Sequence, residues 1–186
     1  FDIRHQAEIM TVYELPMGER KRFFSRGGLS SKLAGGWSLM AIVTLQSGTP
    51  YTARITGSST FTQGITTNTS LRANSTGLPV SLPSGESSVN EFFNTDAFVL
   101  PASGLLGNAG RNTITGPGFT NVDMTVTKEI PLSNDGKRLE FRAQASNLLN
   151  TVNFSDLGTM IDSSTFGQLT SAMQMRQLQF TLRFSF

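Results

Sequence analysis

The last eleven residues alternate without a fault. From Arg176 onward, Leu178, Phe180, Leu182, Phe184 and Phe186 take the even positions, and Gln177, Gln179, Thr181, Arg183 and Ser185 take the odd ones. A period of two over this length describes a β-strand with one apolar and one polar face. A helix would scatter the same Leu and Phe residues around its surface. Four earlier segments repeat the pattern. Ile3, Ala7, Ile9, Tyr13 and Leu15 alternate with Asp2, Arg4, Gln6, Glu8 and Glu14. Trp37, Leu39, Ala41, Val43 and Leu45 oppose a mixed set, Ser38, Met40, Ile42, Thr44 and Gln46. Val122, Met124, Val126 and Ile130 oppose Asp123, Thr125, Thr127 and Glu129. Leu139, Phe141, Ala143 and Ala145 oppose Arg138, Glu140, Arg142, Gln144 and Ser146. The pattern predicts an all-β antiparallel meander of five strands, at about 1–15, 37–51, 121–131, 138–149 and 176–186. Each segment has roughly the nine to eleven residues that a tilted strand needs to cross a bilayer.

The connections separate into two kinds. Pro131 to Lys137 (PLSNDGK) is a short turn with Pro, Asn-Asp and Gly at turn positions. The segments 54–119 and 150–175 are long. Transmembrane barrels have short periplasmic turns and long outer loops. The alternation therefore predicts the C-terminal part of such a barrel, with Phe186 on the periplasmic side and 54–119 as the principal outer loop. The connection 16–36 then falls on the periplasmic side and is long for that position. Two residues sit badly on the apolar faces, His5 and Lys128. A Lys at the bilayer midplane costs about 2–4 kcal/mol, falling towards zero at the interface. Lys128 lies near its strand end, where it is expected to snorkel. Tyr13 and Trp37, with Phe184 and Phe186, fall near the expected periplasmic rim and suit an interfacial aromatic girdle.

Composition fits the pattern. Hydrophobic residues make up 38% and charged residues 15% of the 186-residue chain, both below ordinary globular shares of roughly 45–50% and 25%. The remainder is rich in Gly, Ser, Thr, Asn and Gln, which suit a polar but sparsely charged sheet face. The net charge of +2 and one short basic run, Arg20-Lys21-Arg22 with Arg26 and Lys32 nearby, read as a solvated turn and not as a nucleic-acid surface. No cysteine is present, which removes disulfides, thiol catalysis and Cys-based zinc sites. No apolar run approaches a membrane helix, and no signal peptide is visible. The first residue, Phe1, already opens a strand, so the chain is expected to begin inside a longer protein.

Catalysis has little to stand on. The single histidine, His5, lies in a strand segment, and neither a G-x-S-x-G elbow nor an H-E-x-x-H pair occurs. No catalytic, cofactor or metal-ligating residue is assigned. The carboxylates Glu86, Glu91, Asp96, Asp156 and Asp162 fall in the long segments and read as solvated. The glycines from Gly104 to Gly118 read as turns, since no helix follows them to make a phosphate cradle.

An ordered set of short stretches is also familiar. It comprises Gly35 to Pro50 (GGWSLMAIVTLQSGTP), Phe92 to Phe98 (FFNTDAF), Gly107 to Thr113 (GNAGRNT), Gly116 to Asp123 (GPGFTNVD), Phe141 to Asn150 (FRAQASNLLN) and Phe166 to Ala172 (FGQLTSA), then the terminal strand. Over nearly the whole length, the chain resembles the C-terminal region of Oar-like TonB-dependent receptors. The resemblance implies a large outer-membrane barrel in lipid, plugged by an N-terminal domain that these residues do not include. It implies ligand uptake driven through the TonB system, reached by that same absent N-terminal part. It also implies that Phe180, Leu182, Phe184 and Phe186 form the signal read by the barrel-assembly machinery. Two other readings remain open. One is a soluble β-sandwich binding or adhesion module whose apolar faces pack sheet on sheet. The other is a hydrolase with an unrecognised site.

Overall fold

The computed structural model describes residues 2–19, 21–25, 28–56, 71–132 and 136–186. The chain forms two compact units, each of which takes residues from several stretches. One is a five-stranded sheet, built from 6–45, 120–151 and 175–186. The other is built mainly from 46–119 and 152–174.

The sheet strands are β1 (Gln6–Glu14), β2 (Trp37–Gln46), β3 (Phe119–Pro131), β4 (Arg138–Ser146) and β5 (Gln177–Ser185). They stand in sequence order, β1-β2-β3-β4-β5. This is the expected meander, with ends shifted by a few residues. The largest shifts, five residues each, are at the start of the first segment, where residues 2–5 precede β1, and at the end of 37–51. Alternation of large apolar residues stops at Leu45, and Gly48 and Pro50 break the ladder. Pro50–Tyr51 instead pairs with Ile114–Thr115 in the second unit. Residues 147–149 also leave β4, because Asn147 turns the chain with φ 51. Asn150 takes the same left-handed conformation at φ 53.

Pairing is antiparallel and free of bulges between β3 and β4 and between β4 and β5. Directly paired residues share a face. One face therefore carries the rows Met124/Ala145/Leu178, Val126/Ala143/Phe180, Lys128/Phe141/Leu182 and Ile130/Leu139/Phe184. The other carries Thr125/Gln144/Gln179, Thr127/Arg142/Thr181, Glu129/Glu140/Arg183 and Pro131/Arg138/Ser185. The register also orders the ends. Pro131, Arg138 and Ser185 share one end, and both long segments leave the sheet from the other.

The connection between β1 and β2 contains a short helix, α1 (Gly28–Ala34), which alternation did not predict. The next residues approach β3 closely. The Glu129 N–H donates to the Gly36 carbonyl at 2.8 Å. Gly36 has φ 72, and a Cβ there would lie 2.2 Å from the Glu129 oxygen. Only glycine meets both conditions.

The second unit has its own core. Ala53, Ala73, Phe93, Ala97, Phe98, Ala109, Ile114, Leu157 and Leu169 are buried in it. Phe93, Phe98 and Phe166 pack edge to face, with centroids 5.3–6.2 Å apart. Short ladders pair Phe154–Leu157 with Leu169–Ala172 and Asn74–Ser75 with Phe98–Val99. The segment 54–119, expected as one outer loop, is in its described part a folded layer that shares a core with 152–174. Residues 57–70 lie outside the described set.

Candidate functional site

The sheet presents three features with functional meaning: an apolar face, a polar face and an anchored end. On the apolar face, Leu178, Phe180, Leu182 and Phe184 are between 53% and 68% exposed. Among the described residues, every buried hydrophobic side chain belongs to the second unit. The sheet's large apolar rows are therefore not covered by protein. Burying one such side chain is worth roughly 1.5–3 kcal/mol, so a medium other than water must cover the face.

The opposite face becomes more charged along its length. Near the end from which the long segments leave, it carries Thr125, Gln144, Ser146, Gln177 and Gln179. Near the other end it carries Glu129, Arg138, Glu140, Arg142 and Arg183. Glu129 and Glu140 stand directly opposite each other. Arg183 faces Glu140 on its other side, and the Arg142 guanidinium contacts the Glu140 carboxylate at 2.7 Å. The cations offset the like-charge pair. One apolar and one hydrated face along bilayer-length strands are the wall of a transmembrane barrel.

Lys128 corrects the sequence reading. Its place on the apolar face is as expected, but it does not reach to solvent. The side chain is 5% exposed. Its Nζ donates to the carbonyls of Lys32 at 2.8 Å and Leu33 at 2.9 Å, and to that of Gly35. Nζ also lies 5.3 Å from the Trp37 ring centroid, a cation–π contact. The last carbonyls of a helix have no partners within the helix and attract a cation. Lys128 satisfies them and ties α1 to β3. The Trp37 indole donates to Leu33 O at 3.1 Å, completing the clasp.

The residues assigned to an aromatic girdle meet at the same end. Leu15 N–H donates to Trp37 O at 2.9 Å, which sets Tyr13 two residues from the bond, at 54% exposure. Phe184 pairs with Leu139 at this end and stacks on Phe186 at 5.8 Å. Phe180 stacks on Phe141 at 6.3 Å. Phe186 follows the last strand residue and is 96% exposed. The four aromatic and aliphatic positions assigned to assembly, Phe180, Leu182, Phe184 and Phe186, thus form an open row on the edge strand. His5 precedes β1; its N–H donates to Ser47 Oγ at 3.1 Å and its carbonyl accepts from Ser47 N–H at 2.8 Å.

At the opposite end, Asn147 and Asn150 bind three strands together. Asn147 is 5% exposed. Its N–H donates to Asp123 Oδ1, and its side chain meets both the N–H and the carbonyl of Thr151, all at 2.9 Å. Asn150 Oδ1 accepts from Arg176 N–H at 3.1 Å, just before β5. The stretch Ser146 to Asn150 (SNLLN) is therefore a turn built from polar side chains.

In the second unit the expected solvated carboxylates divide. Asp162 holds Thr56 through its N–H at 3.1 Å and its hydroxyl at 2.9 Å. Asp96 is positioned by the Asn94 cap, which accepts its N–H at 3.1 Å. Among the described residues, no three His, Asp or Glu side chains gather closely enough to hold a metal.

No curated protein and no solved structure matches the chain. A family model described as an outer membrane beta barrel domain matches residues 1–179. That match agrees with the two-faced sheet and its uncovered apolar rows, and it places the protein in the bacterial outer membrane. The chain belongs to the outer membrane beta barrel domain family.

Proposed function

We propose that this barrel is the receptor wall of a TonB-dependent transporter, and that its folded outer layer takes part in capturing the ligand. The observation that carries the reading is the second unit. The described parts of its two long segments, which leave the sheet at the end opposite Ser185, join in one core-bearing layer. A preformed surface reduces the ordering cost of binding. The resemblance of the ordered stretches from Gly35 to Ala172 supports the same family of transporters.

The sheet also requires partners. It has two unpaired edges, β1 and β5, and barrels abolish edges. The smallest membrane barrels have about eight strands and plugged transporters about 22. In this reading, further strands of the same protein complete the wall and a plug fills it. The open row ending at Phe186 is the signal for the barrel-assembly machinery. Tyr13 and Trp37 anchor the periplasmic rim in lipid. No catalytic step is assigned to any residue, and nucleic acid is not a partner. The uncovered apolar face favours this reading over a soluble sandwich, which would bury that face against a second sheet.

The test is binding between the full-length protein, purified in neutral detergent, and the periplasmic domain of the host's TonB. Saturable one-to-one binding is expected. Its absence would remove the energised-uptake reading and leave the barrel assignment standing.

A further inference from the structure

A cavity of about 440 Å³ opens at the end of the sheet where Pro131 pairs with Arg138 and only a short connection joins β3 to β4. That end faces the periplasm in outer-membrane barrels. Ser31 and Lys32 of α1 line one side of the cavity, and Glu129, Lys137 and Arg138 line another. Glu19 and Lys21 complete its charged lining, four cations against two carboxylates. Lys21 pairs with Glu14 at 3.4 Å. Among the described residues, Lys32, Lys137 and Arg138 have no carboxylate within ion-pair distance.

The second observation is Ser31. It is 3% exposed, and its Oγ is buried without a hydrogen-bond partner among the described residues. Buried hydroxyls are normally satisfied, and each exception calls for an explanation such as a missing guest. Ser31 lines this same cavity.

We infer that the cavity binds a phosphoryl group, through Ser31 Oγ and the cations of Lys32, Lys137 and Arg138. The guest must accept a hydrogen bond from a hydroxyl and offer charge to three separated cations at once. A halide has no oriented lone-pair sites on separate atoms, and a carboxylate has only two oxygens. A phosphoryl group has three acceptor oxygens and up to two negative charges, and Arg138 suits it through its fork of donors. The group has two possible sources, the phosphomonoester headgroup of a phosphatidic acid in the periplasmic leaflet or a free phosphate. This inference does not depend on the TonB reading.

The experiment uses the full-length protein in neutral detergent, with inorganic phosphate, short-chain phosphatidic acid and short-chain phosphatidylcholine as separate probes in calorimetric titrations. Saturable binding of phosphate or phosphatidic acid is expected, with the diester phosphatidylcholine at least about tenfold weaker, as the loss of one charge-assisted contact implies. The double variant Lys32→Gln/Lys137→Gln and the single variant Ser31→Ala should each weaken binding at least about tenfold. Lys137→Arg should keep it. Displacement of phosphate by phosphatidic acid assigns the lipid source, and binding of phosphate alone assigns the soluble one. Retained heat-modifiable migration on gels shows that each variant is folded. Should the double variant fail that check, Ser31→Ala and Lys137→Arg still decide the matter. No binding of either anion, or equal binding by folded wild type and variants, overturns the inference.

Discussion

Lys128 shows how a residue that looks misplaced in a pattern becomes a structural contact. On the apolar face it breaks the row between Val126 and Ile130. Its charge is used at three carbonyls of Lys32, Leu33 and Gly35 and over the ring of Trp37. Replacing it with Met would improve the alternation, yet it would leave buried carbonyls without donors. Each such loss costs about 1–3 kcal/mol. Lys128→Met should therefore destabilise the protein and raise hydrogen exchange across 28–38, whereas a merely snorkelling Lys would give a neutral or stabilised variant. Asn147 gives a second case. Asn147→Ala loses both bonds to Thr151 and puts a Cβ-bearing residue without a local polar side chain at φ 51. The left-handed conformation alone costs roughly 1–2 kcal/mol. The expected result is a lower unfolding temperature in detergent, with exchange increased first at 146–151. Neither contact was legible in the sequence. The Lys128 contacts join residues on different elements that only the register brings together, and the Asn147–Thr151 bonds close a four-residue turn that follows no period.

The five long elements were legible for a simple reason. A strand between lipid and water records its two environments in every second residue, and that record survives without knowledge of the partners. The ends were less legible where Gly, Pro and Asn stop the pairing, as at Gly48, Pro50 and Asn147. α1 could not be read, because seven residues make barely two turns and its stability comes from Lys128 and Trp37. The second unit was hidden for another reason. Phe166 lies in a different long segment from Phe93 and Phe98, and the three follow no period, so their shared core leaves no local trace. Gly48 tests that layer. A Cβ there would lie 1.8 Å from the Gly116 carbonyl oxygen, where the two short strands Pro50–Tyr51 and Ile114–Thr115 meet. Gly48→Ala should open 46–119 to limited proteolysis while the sheet keeps its heat-modifiable migration. Simultaneous loss of both would mean that the sheet depends on the layer for its stability. The edge strand carries its own prediction. Removing Phe186, or replacing Phe180 and Phe184 with Ser, should lower the amount of folded protein in outer membranes several-fold with little change in synthesis. Unchanged insertion would withdraw the assembly role from this row.

For the whole molecule, the location of the buried residues is decisive. A soluble domain buries its sheet's apolar face. Here the described buried hydrophobic residues all lie in the layer formed by the long segments, and the sheet's rows remain open. Family membership in the outer membrane beta barrel domain supplies the medium that covers them. The central claim is therefore that Leu178, Phe180, Leu182 and Phe184 face lipid while Gln177, Gln179, Thr181 and Arg183 face a hydrated interior. Spin labels placed one at a time from 177 to 184 in the full-length protein, reconstituted in liposomes, measure this directly. Collision rates with oxygen should peak at the even positions, and rates with a water-soluble nickel complex should peak at the odd ones, alternating with a period of two. Even positions as open to nickel as the odd ones, or shielded from both reagents, would contradict the account.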